Sequence, residues 1–216
     1  MSNSNHQFQL CKLADYVINA IEHAYRRIDR ERLTGWMEED GNDIFDFKNN
    51  ESGIKRRRRF DYDDDEENRE EKIGQFLDSC KRQLQETYLT TAAVSDCERV
   101  IDFIDNAMKL NSAEKECLGL LAHYSVDHYI ERFIDRITEQ HRLTKNSDYG
   151  IFFKDRYSFS DLDEAWQKIA ALGIIEEDCD DLRLSSFGEQ LFTKCPQTYD
   201  EFNQICIGEK QTALLK

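Results

Sequence analysis

Two groups of side chains in this chain have the type and spacing to act on a ligand, and they carry opposite charge. Lys55, Arg56, Arg57, Arg58 and Arg59 form an uninterrupted cationic block. Adjacent cations of this kind contact phosphate, act as a nuclear-import signal, or pair with acids nearby. Here Asp61, Asp63, Asp64, Asp65, Glu66 and Glu67 follow at once, so self-pairing stands beside the other two readings. The second group is acidic. Asp161, Asp163, Glu164, Glu176, Glu177, Asp178, Asp180 and Asp181 crowd one stretch that holds only Lys168 and Arg183 as cations, and they are the candidate partner-binding residues.

Side chains suited to covalent or metal chemistry are spread too widely to form a recognisable site. The cysteines, Cys11, Cys80, Cys97, Cys117, Cys179, Cys195 and Cys206, are odd in number and never make a C-x-x-C pair, so they read as reduced intracellular thiols. His6, His23, His123, His128 and His141 hold no ligand spacing with them and no H-E-x-x-H. His123 and His128 fall near one helix junction, where capping or core roles are expected. Acid runs such as Asp63 to Glu67 lack the glycine and ligand alternation of a calcium loop, and neither a glycine-rich phosphate loop nor a G-x-S-x-G elbow occurs. No metal, no cofactor and no catalytic constellation is therefore expected, and the chain reads as a non-enzyme.

Overall charge narrows the partners further. Cations and acids number eleven against ten over residues 1–59, six against fourteen over 60–110 and twelve against twenty over 111–216, which gives the net −15. Such a surface repels phosphate backbones and anionic lipid. The polar start, Met1 to Gln9, and the lack of any apolar run near the ~20 residues of a membrane span predict no membrane association. The expected location is cytoplasmic, or nuclear in a eukaryote.

A single proline, Pro196, and nine glycines among 216 residues predict long helices with short polar connections. Leu10, Ala14, Val17, Ile21, Ala24 and Ile28 step by fours and threes along one helical face, widened by Leu13, Ile18 and Tyr25. That width favours packing in a bundle, with a homodimer seam through residues 10–28 as the alternative. The helix is expected to stop near Thr34-Gly35. Trp36 to Asp65 reads as a linker, part of a charged stretch over about 36–70, because acid and Asn/Ser/Gly clusters dominate it. Periodicity returns at Ile73, Leu77, Cys80, Leu84 and Tyr88, then at Cys97, Val100, Ile101, Ile104 and Met108 behind a Ser95–Glu98 capping pair. Residues 1–110 thus make a helical N-terminal region.

In residues 111–216, Asn111 with Glu114 starts a helix that buries Leu118, Leu121 and Ala122. Val126, Ile130, Phe133, Ile134 and Ile137 mark a second. Ser160 with Asp163 starts a third, through Leu162, Trp166, Ile169, Ala170 and Leu172 to Gly173. Ile174-Ile175 leaves as a strand, Glu176 to Asp181 turns, Leu182-Arg183-Leu184 returns, and Ser186 with Glu189 caps a last helix through Leu191 and Phe192. The run from Asp161 to Phe192, with Leu172-Gly173-Ile174 ending a helix and Leu182-Arg183-Leu184-Ser185-Ser186-Phe187-Gly188 returning into the next, resembles the winged-helix superfamily. With the two preceding helices, the resemblance covers about half the chain. It departs from the pattern between Arg142 and Ser160, where a short turn is usual. Either Gly150-Ile151-Phe152-Phe153 adds a strand there, or the second helix lies elsewhere. The expected fold is mainly α: an N-terminal helical bundle, then a winged-helix-like domain with a small β-hairpin wing. A plain helical bundle with one hairpin is the alternative.

The resemblance implies a recognition helix and a wing, surfaces that in DNA-binding members offer Arg, Lys, Asn or Gln. Eight acids against two cations leave six negative charges where phosphates would sit. The leading expectation is a non-catalytic protein-binding accessory subunit of a larger complex, one that reaches DNA, if at all, through its partner. An acidic DNA mimic that inhibits a nucleic-acid-binding protein is a second reading. A winged-helix transcription regulator using Lys55 to Arg59 is a third.

Overall fold

The computed structural model describes residues 3–24, 30–41, 66–90, 95–138, 152–153, 156–178 and 181–214. Among them the chain is mainly helical, with one two-stranded antiparallel sheet. Helix α1 (Asn3–Ala24) turns its stripe inward: Leu13, Ala14, Val17 and Ile21 are buried, as are Tyr16 and Ala20. Its partner is α3 (Glu66–Thr90), which buries Ile73, Phe76 and Cys80, and Lys81 of α3 reaches Glu22 of α1 at 2.5 Å. The described part of the stripe proposed as a dimer seam is thus covered by the chain's own core.

The expected stop at Thr34-Gly35 and the linker from Trp36 are corrected by the structure. Helix α2 (Arg30–Trp36) runs through Gly35 and widens into a π-helical turn, Met37–Gly41. Trp36 is 0% exposed, its ring edge-on to Phe76 at 5.9 Å and tilted against Phe133 at 4.6 Å. Gly41 is required there, because a Cβ would lie 2.9 Å from the Phe76 ring. The wider π turn sends Glu39 and Asp40 outward to Arg136 and Arg132, at 3.2 and 2.8 Å. The acids that suggested a linker are the solvent side of a core element. Lys55 to Arg59 and the rest of 42–65 lie outside the described residues.

Helix α4 (Asp96–Met108) starts where the sequence predicts, with Ser95 Oγ accepting from Glu98 N. So does α5 (Ser112–Val126), whose capping box joins Asn111 and Glu114 in both directions. Helix α5 is buried nearly all round, from Ala113 through Cys117 to Ala122, and packs against α4, α7 and the neighbouring α6. An unbroken apolar run, Leu118-Gly119-Leu120-Leu121-Ala122, does this, since a helix without a polar face belongs at the centre. Helix α6 (His128–Ile137) begins at the Asp127 cap, so Val126 is not on its stripe but 43% exposed at the end of α5. One continuous buried cluster extends from Leu13 to Phe202, across position 110.

Phe152 and Phe153 are helical and buried, so these two residues do not form the extra strand that was one of the two alternatives for this stretch; Gly150 and Ile151 lie outside the described residues. Helix α7 (Phe159–Ala171) is capped by Ser158 with Asp161, two residues ahead of the expected Ser160 and Asp163. It buries Leu162, Ala165, Trp166 and Ile169, and Gly173, at φ +73°, ends it in the left-handed region that favours glycine. Strand β1 (Ile175–Asp178) pairs with β2 (Asp181–Leu184) in the register Ile175↔Leu184 to Asp178↔Asp181, so Glu176, Glu177 and Asp178 belong to a strand where a turn was expected. Helix α8 (Ser186–Lys194) is capped by Ser185, one residue before the expected Ser186, and α9 (Tyr199–Leu214) sets Phe202 against Phe103 of α4. Among the described residues no helix is long and apolar enough to cross a membrane.

Candidate functional site

The acidic candidates lie on α7 and the hairpin behind it. Leu162, Trp166 and Ile169 point into the core, so helical periodicity turns Asp161, Asp163 and Glu164 to solvent. Asp161 accepts from Ser158 N at 2.9 Å and Ser158 Oγ at 2.6 Å, and these hydrogen bonds hold its carboxyl below the usual range. Asp163 accepts from Gln167 at 2.8 Å and Glu164 from Ser160 at 3.5 Å. On the hairpin, Glu176 meets its cross-strand neighbour Arg183 at 3.4 Å. Glu177, Asp178 and Asp181 hold strand positions whose side chains are outside the described set, as is all of Asp180.

Both cations of this face are committed. Arg183 serves Glu176, and Lys168 turns back to Glu114 Oε2 at 2.6 Å and the Lys109 carbonyl at 3.4 Å. Glu114 is 4% exposed and also closes the α5 capping box, so a buried carboxylate that needs a counter-charge claims the lysine. Lys168 therefore pairs with none of the four acids of this face whose side chains are described, Asp161, Asp163, Glu164 and Glu176. Phe159, the first residue of α7, stands 62% exposed beside them.

A second polar arrangement, which sequence reasoning missed, lies between α1, α4 and α5. Lys12 Nζ and His123 Nε2 both meet Glu98 Oε1, at 2.6 and 3.2 Å. A carboxylate only accepts, so Nε2 carries the hydrogen. His123 is 2% exposed near the end of α5, and Tyr16 meets its ring edge-on at 6.3 Å. Lys115 ties α5 to Asp102 and Asp105 of α4, and Arg156 reaches Glu116 at 2.9 Å over the Phe153 ring. Burial raises the Tyr16 pKa, and Cys97 and the nearby acids add to it, so the group stays a neutral phenol. Burial also pushes Cys80 up to about 12 and Cys97 and Cys117 well up, keeping these thiols protonated and unreactive at neutral pH.

Burial alone would raise the Glu98 pKa; the His123 hydrogen bond and the Lys12 charge outweigh it and hold the carboxyl at about 2 instead of 4.5. A group depressed in this way contributes stability above its unfolded pKa and loses it as pH falls through the folded value. Wild-type protein is expected to lose on the order of 3 kcal/mol from this group between pH 5 and pH 2. Urea titrations across that range check this, because Glu98→Gln should flatten that part of the profile.

Nothing in the local sequence marks this arrangement, since Lys12 comes from α1, Glu98 from α4, Lys115 and His123 from α5 and Arg156 from the segment ahead of α7, and Glu98 already has a capping role to explain it. The one available signal is a histidine inside the most apolar helix, which must find a polar partner somewhere. Among the described residues no group of three or more His, Cys, Asp or Glu could hold a metal ion. Comparison with protein-family models, with curated proteins and with solved structures finds no match to this chain.

Proposed function

We propose that this chain is a non-catalytic protein-binding subunit that docks through the outer face of α7 and the β1–β2 hairpin onto a basic surface of a partner. The observation that carries the reading is the diversion of Lys168 to buried Glu114, which ties the one lysine of α7 to a carboxylate of α5. Arg183 is likewise engaged by Glu176. A face of exposed carboxylates repels phosphate and attracts cationic protein, and exposed Phe159 gives it an apolar anchor with a polar rim. The order of helix, left-handed glycine, antiparallel hairpin and capped helix supports a winged-helix module used here for protein docking.

Affinity capture from the native host, with nuclease treatment and at low and physiological salt, tests the proposal. The wild-type chain is expected to retain a stoichiometric protein partner after nuclease, and Asp163→Lys/Glu164→Lys is expected to weaken capture by about tenfold or more, since like charges across an interface cost several kcal/mol. Equal capture by the double variant, or recovery of nucleic acid without protein, would sink the proposal.

A further inference from the structure

We draw no further inference here: the strongest candidate, the open groove between α8 and α9 lined by Lys194, Pro196, Glu201, Ile205 and Gly208, carries none because nothing in the structure shows what covers it.

Discussion

Gly188→Ala is expected to destabilise the protein by about 2–3 kcal/mol, although alanine is the better helix former. Gly188 lies in the first turn of α8, where its N–H donates to the capping Ser185 Oγ at 3.0 Å. The Ile174 carbonyl crosses directly above it: a Cβ on residue 188 would sit 2.2 Å from that oxygen. This is backbone, and it is pinned, because Ser185 N donates to the same carbonyl at 2.9 Å and Ser185 Oγ to the Gly173 carbonyl at 2.6 Å. Alanine must therefore pull α8 off the hairpin or break the cap. Gly74→Ala is the matched control, since a Cβ there meets nothing within 4 Å on an exposed face of α3. It should stabilise by about 0.5–1 kcal/mol from helix propensity and reduced unfolded-state entropy. Thermal melts of the two variants should move in opposite directions, by roughly 2–4 °C per kcal/mol. A neutral Gly188→Ala would mean that α8 does not close on Ile174 as described.

Trp36→Ala should cost about 3–5 kcal/mol, the range for truncating a fully buried large aromatic. Trp36 joins α2, α3 and α6 in a single contact, through Phe76 on one side and Phe133 on the other. Its indole Nε1 is buried without a hydrogen-bond partner, so Trp36→Phe sheds area and also removes an unsatisfied donor. The phenylalanine variant should accordingly lose far less than the alanine variant. Urea unfolding of both measures the difference, and a cost below about 1 kcal/mol for Trp36→Ala would return this segment to the status of a linker.

That segment also shows where sequence reading fails physically. Glu38, Glu39 and Asp40 beside Gly41 look like connecting chain, but a π turn sets these acids on the outer side while Trp36, Met37 and Gly41 stay buried. The acid pattern is legible; the extra residue per turn that reorients it is not. Capping was legible where one candidate stood alone, as at Ser95 and Asn111. It slipped where serines crowd together, at Ser158 against Ser160 and Ser185 against Ser186, because side-chain spacing alone does not say which serine leaves helical φ/ψ. The Leu172-Gly173-Ile174 and Ser185-x-x-Gly188 pattern was readable as a motif, and its cause is the junction in which Ser185 grips two carbonyls and Gly188 admits one. Of the candidate site, the charge of the α7 face was readable, whereas the loss of Lys168 to Glu114 was not, since those residues are far apart in the chain.

The most direct test of the docking face is hydrogen–deuterium exchange on the chain alone and on the nuclease-treated complex captured from the host. Slowed exchange confined to residues 159–171 and 175–184 on binding is the predicted result. Protection that spares these residues and falls elsewhere, or the same slowing produced by duplex DNA at physiological salt, would contradict the assignment of this acidic face to a protein partner.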